Sequence, residues 1–173
     1  ALAEAGGKFE RAVEVLRERG IAKAASKEGR TTSEGLIVSH ITSGDQLGVM
    51  VEINCETDFV ARTDKFKAFV SDIANHAAAS KADNVDALLS EKMGSGKTVS
   101  DFVKETIGSI GENMQVKRFA RFASEGFVTN YIHPGDKLGV MVELTAGKSA
   151  VNHDSFRAFA RDLAMQIAAT NPQ

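Results

Sequence analysis

A single cysteine, Cys55, leaves this chain unable to close an internal disulfide, and no CxxC or Cys/His spacing offers a zinc site. That usage suits a reducing, cytosol-like compartment. Long apolar runs are also missing: nothing approaches the roughly 20 consecutive residues that a membrane helix needs. An excess of basic charge is missing too. Lys and Arg number 21 against 23 Asp and Glu, for a net charge of −2, which argues against a protein that works by blanketing nucleic acid phosphates. What remains is the composition of an ordinary globular chain, 43% apolar and 25% charged over 173 residues. That length suffices for one substantial core or two small ones.

Catalytic motifs are scarce in the same way. GSGKT at 94–98 resembles the end of a phosphate loop, but Glu91 stands where its first glycine should be, and no strand leads into it. The spacing predicts a surface loop. The four histidines, His40, His76, His133 and His153, show neither metal-ligand spacing nor an HExxH pattern. Glu52 and Glu143 recur at matching positions as strand-end residues, which structure alone would repeat. No enzyme active site, metal or cofactor is expected.

What the chain does have is a duplication. Residues 34–53 read EGLIVSHITSGDQLGVMVEI, and residues 125–144 read EGFVTNYIHPGDKLGVMVEL, 91 positions later. Each copy predicts strand, tight turn, strand, with Gly44-Asp45 and Pro134-Gly135-Asp136 supplying the turn chemistry. Each then enters a helix pattern, 64–80 and 154–170. Phe66, Phe69, Val70, Ile73 and Ala77 form a core stripe in the first, repeated by Phe156, Phe159, Ala160, Leu163 and Ile167. Thr63 is placed to cap the first of these helices. The alternation in GVMVE predicts Val49, Val51, Val140 and Val142 on the helix-covered face, with Met50 and Met141 opposite. The copies differ in between: NCETDFVART at 54–63 against TAGKSAVNH at 145–153. A segment that only one copy carries is a candidate for function.

The first copy continues with a helix pattern at 98–113, capped by Thr98 or Ser100, and a strand at 114–122. Upstream, Phe9, Ala12, Val13 and Leu16 predict an amphipathic helix within residues 1–20, with Gly20 as its C-cap; residues 21–33 suit a short helix tail and then a linker. The fold class expected is α+β: two related subdomains, each a small antiparallel sheet covered by helices, preceded by a helical segment. The boundaries are 1–33, 34–124 and 125–173. The opening ALAEAGG and the close on NPQ are expected of a piece of a longer chain.

NCETDFVAR after GVMVEI, the SIGENMQVKRFARF segment, and GIAKAASKEGR after an amphipathic helix together resemble the elongation factor Ts family, over essentially all 173 residues. The resemblance implies the last part of an N-terminal module of ubiquitin-associated type over 1–33, then a duplicated core. It also implies nucleotide exchange on elongation factor Tu, in its GDP-bound and nucleotide-free states, with no bond chemistry by this chain. The setting implied is the bacterial cytoplasm or an organelle matrix or stroma. Carried over by position, the exchange loop falls on Thr57, Asp58, Phe59 and Val60, with further partner contacts at Ile110, Gly111 and His133. On spacing alone, Phe59 lies seven residues before Phe66 and extends its core stripe, Asp58 caps a helix, and His133 is a turn residue. The resemblance instead implies a partly exposed Phe59 wedge. The alternative is a nucleic-acid-binding module using KRFARF at 117–122, whose Phe119 and Phe122 would have to share one face of the strand.

Overall fold

The computed structural model describes residues 1–42, 44–147 and 149–171. In chain order its elements are α1 (Phe9–Ala25), β1 (Glu34–Ile41), β2 (Leu47–Cys55), α2 (Asp58–Ala61), α3 (Asp64–Ala79), α4 (Val85–Ser90), α5 (Val99–Ile110), β3 (Met114–Ala123), β4 (Phe127–Ile132), β5 (Gly139–Leu144), a 3-10 turn (Ala150–Asn152) and α6 (Asp154–Thr170). One antiparallel sheet runs β1-β2-β3 and a second pairs β4 with β5. The expected α+β class, with two small helix-covered antiparallel sheets behind an N-terminal helix, is what forms.

Period-two alternation sorts β2. Val49, Val51, Ile53 and Cys55 are fully buried beneath α3, whose Phe66, Phe69, Val70, Ile73 and Ala77 face them in one cluster. α5 closes that cluster with Val99, Val103 and Ile107, and the Phe102 ring packs 5.3 Å from Phe69. Thr63 and Thr98 cap α3 and α5 as the sequence predicts, accepting from the N–H groups of Phe66 and Asp101.

The opposite face of the sheet carries the second hairpin, and the contact is a pseudo-two-fold. The Ile37 N–H donates to the Asp136 carbonyl at 2.7 Å, and the Val128 N–H donates to the Asp45 carbonyl at 2.6 Å. These are the same bond written in both copies. Asp45 and Asp136 both adopt left-handed φ, 54° and 56°. A Cβ on Gly48 would lie 2.7–2.8 Å from Val128 Cγ1 and Met141 Sδ; one on Gly139 would lie 2.8–2.9 Å from Ile37 Cγ2 and Met50 Sδ. The equivalent residues Ser39 and Asn130 meet each other, the Asn130 amide donating to Ser39 Oγ at 2.6 Å. Methionines therefore do sit opposite the valines. Arg157 of α6 adds a further tie, pairing with Asp45 at 2.7 Å while lying over the Phe127 ring.

Several details differ from the sequence expectation. Gly20 does not cap α1, which runs on to Ala25, and a Cβ there would meet nothing within 4 Å; the close crossing of α1 over α5 instead requires Gly108, whose Cβ would stand 2.5 Å from Gly20 Cα. The pattern missed α4, a short helix capped by Asn84. α5 stops at Ile110 because Gly111 turns left-handed, φ 97°. Phe159, the counterpart of Phe69, is 58% exposed where Phe69 is 3%. Phe102 covers Phe69, and among the described residues no equivalent of α5 covers Phe159; Val140 and Val142 are half-buried for the same reason. The loop expected at GSGKT is a turn closed by a lone Lys92–Thr98 bridge.

The glycine pinch predicts its own test. Gly48→Ala and Gly139→Ala should each lower stability by about 1–3 kcal/mol through overpacking. Thermal melting should show a drop of several degrees, at roughly 2–4 °C per kcal/mol for a chain of this size. Gly94→Ala, with nothing within 4 Å of the new methyl, should leave the melting temperature in place.

Candidate functional site

β2 is the central strand of its sheet, and it delivers its last residue, Cys55, into the segment that the second copy lacks. Cys55 is buried, and its Sγ donates to the Thr57 carbonyl at 3.2 Å. Burial, reinforced by the nearby carboxylates of Glu112 and Glu34, pushes the thiol up to about 11, so it remains protonated and inert at neutral pH.

Thr57 is the N-cap of α2, with its hydroxyl accepting from the Val60 N–H at 3.4 Å. Asp58, expected as a cap on its own merits, is instead the first helical residue, and it pairs with Arg62 at 2.8 Å. Val60 packs on the core cluster and Ala61 is buried within it. Successive helical residues are about 100° apart, so turning 60 and 61 inward turns 59 outward. Phe59 is 81% exposed, more so than any other large apolar side chain among the described residues. The stripe expectation fails here for a definite reason. Thr63 starts a new helix at Asp64, and a seven-residue spacing has meaning only within one continuous helix. Exposure of the ring agrees with the family-based expectation.

The α5–β3 corner holds this loop. The Glu112 carboxylate accepts from the Thr57 N–H at 3.0 Å and from the Thr57 hydroxyl at 2.6 Å. In return, the Glu56 carboxylate accepts from the Asn113 N–H at 2.6 Å. Arg30 joins from the segment after α1, its guanidinium 3.6 Å from Glu56 and its carbonyl accepting from the Asn113 amide at 2.9 Å. Ile110, half-buried, and Gly111, exposed, occupy the same corner. Lys65 and Ser109 join the start of α3 to the end of α5.

Thr57–Val60 and Ile110-Gly111 are thus brought onto one bonded unit. His133 lies in the β4–β5 turn, exposed, where its ring bonds to the Tyr131 hydroxyl at 3.0 Å. Its backbone N–H donates to the Leu138 carbonyl, as Thr42 donates to Leu47 in the first copy. Glu56, Glu112, Asn113 and Arg30 escaped the sequence reading. The only available signal was that Glu56 falls within the unshared segment, and that a polar pair directly follows the helix-ending Gly111. As for the basic-aromatic strand, Phe119 pairs across from Val51 and Phe122 from Gly48, so the two rings leave opposite faces of β3. Arg118 is engaged by Glu52 at 2.5 Å.

The fold and this geometry define a class: a duplicated α+β scaffold that presents an exposed aromatic ring on a firmly bonded loop. Comparison with known proteins supplies the family. The model of the family Elongation factor TS matches residues 56–173. The chain is 46% identical to elongation factor Ts of Nostoc punctiforme over 98% of its own length and 55% of that relative's. It is also 46% identical to those of Clostridium perfringens strain SM101 (99% and 56%) and Halothermothrix orenii (100% and 57%). This chain belongs to the elongation factor Ts family. It spans a little over half the length of those curated relatives.

Two measurements check the site's anatomy. Phe59→Ala should change stability by no more than about 0.5 kcal/mol, as an exposed substitution does, whereas Phe66→Ala should cost about 3–5 kcal/mol, both read by urea unfolding. For Cys55, the raised thiol means that the unfolded chain releases its proton first as pH climbs above about 9. Stability should therefore fall between about pH 9 and 11, and Cys55→Ala should lack that share of the slope.

Proposed function

We propose that this chain acts as a guanine-nucleotide exchange factor for elongation factor Tu, in the cytoplasm, during translation elongation. The observation that supports this most is Phe59: an apolar ring held out into solvent by a loop whose every neighbour is bonded or buried. An exposed aromatic on a rigid support loses little entropy when it docks. Thr57, Asp58, Phe59 and Val60 form the inserting loop, Ile110 and Gly111 flank it, and His133 contributes a separate contact from the second hairpin.

The mechanism is linkage and needs no bond chemistry from this chain. A factor that prefers the nucleotide-free GTPase to the GDP-bound form weakens GDP by the same ratio that GDP weakens it. Phe59 entering between partner side chains repacks the switch region beside the nucleotide. One buried aromatic anchor is typically worth about 2–4 kcal/mol, or roughly 30- to 1000-fold in an equilibrium. Asp58 acts near the partner's magnesium, exchanging its Arg62 pairing for contacts there. That exposed pair costs little to break, about 0–1 kcal/mol. The nucleic-acid alternative has less behind it, since Phe119 and Phe122 offer no common stacking surface.

Stopped-flow release of a fluorescent GDP from elongation factor Tu tests the proposal. Phe59→Ala should slow release by an order of magnitude or more with the chain still folded. Asp58→Asn should also slow it, but the deficit should shrink under EDTA, which already removes the magnesium that Asp58 addresses. Phe59→Ala should remain impaired under EDTA. No acceleration by the unaltered chain overturns the proposal outright.

A further inference from the structure

We propose that Glu112 is a positioning residue for exchange. Its role is to fix the Phe59 loop in register with Ile110-Gly111, so that the two segments meet the partner as one preset surface. This rests on the exchange function proposed above.

The reason lies in how the two segments are joined. Each gives a backbone N–H to the other's glutamate: Thr57 to Glu112 at 3.0 Å, and Asn113 to Glu56 at 2.6 Å. The bonds cross, so neither segment can slide along the other without breaking both. Glu112 also takes the Thr57 hydroxyl at 2.6 Å, and that hydroxyl is in turn the N-cap of α2. One carboxylate therefore sets the backbone entering the loop and orients the group that starts its helical turn. Two charge-assisted bonds from a part-buried carboxylate are stronger than neutral ones. Glutamine at 112 would turn an N–H donor toward a donor, and leave part of the set unmet. Glu112 has no place in the hydrophobic cluster, so its loss should loosen the loop and leave the core. A loop that must be ordered on docking gives up affinity, while the ring, once docked, still does its work.

Glu112→Gln should therefore leave its mark on docking more than on the exchange step. Amide hydrogen exchange, followed by NMR, should quicken about tenfold at Val60, Ala61 and Arg62, while Val51 and Ile73 keep their protection. In GDP release from elongation factor Tu, the half-saturating chain concentration should rise about tenfold, with the maximal rate within about twofold of the unaltered chain. Phe59→Ala should give the reverse: a lower maximal rate with full loop protection. Thr57→Val, which removes only the hydroxyl bond, should fall between, and adding it to Glu112→Gln should bring little further change. Unchanged loop protection in Glu112→Gln overturns the proposal whatever happens to release. So does lost loop protection with an unmoved release curve, or a loss of core protection in both Glu112→Gln and Thr57→Val. If the unaltered chain releases no GDP, the exchange function fails and the docking half of this proposal fails with it. Amide protection then still decides whether Glu112 holds the loop.

Discussion

Everything in this molecule hangs on β2 being held from four sides. β1 and β3 bond its two edges, α3 and α5 cover one face, and the second hairpin covers the other. A central strand with both faces buried has no register to slip into, because a one-residue shift would send Val49, Val51 and Ile53 toward the facing hairpin and Gly48 into the helix layer. The close approach of the hairpins at Gly48 and Gly139 supplies the fourth side. The chain leaves this anchored strand at Cys55, two residues before the loop begins. An exposed ring can be placed with accuracy only if the backbone leading to it cannot move.

Around the loop, polar bonds take over from packing. Glu56, Glu112, Arg30 and Asn113 tie three distant stretches of chain together. Unsatisfied backbone donors at such a junction would be costly, and here the carboxylates of neighbouring segments accept them. The price is paid in accessible charge at a surface corner, not in the core.

Much of this architecture was legible in the residues. The repeat, the hairpins, the helix stripes and the threonine caps follow from local rules of period, turn chemistry and capping, and α6 begins and ends where its pattern does. Three kinds of feature were not legible. Gly20 looked like a helix stop because a local rule reads glycine as punctuation, yet the helix runs on past it; the glycine that the helix crossing needs is Gly108, whose Cβ would meet the Gly20 backbone, a contact that no local pattern encodes. Phe59 looked like core because spacing was counted across Thr63, where the helical phase resets. Glu112 was invisible for a third reason: its partner lies 55 residues away, and a glutamate after a glycine has countless ordinary explanations. His133 presents as an exposed turn residue, and its structural setting adds a bond to Tyr131.

The meeting of Ser39 with Asn130 carries a consequence about descent. Were the two hairpins on separate copies of one short polypeptide, the symmetry axis would force this position to face itself, serine against serine or asparagine against asparagine. Fusing the copies into one chain frees the two positions to diverge. Here one has become the donor and the other the acceptor of a 2.6 Å bond. Fusion also makes the association intramolecular, so that it no longer weakens on dilution. A tandem fusion also lets one half carry the Thr57–Val60 loop while the other has a different sequence in its place, an asymmetry that the identical subunits of a symmetric homodimer could not sustain.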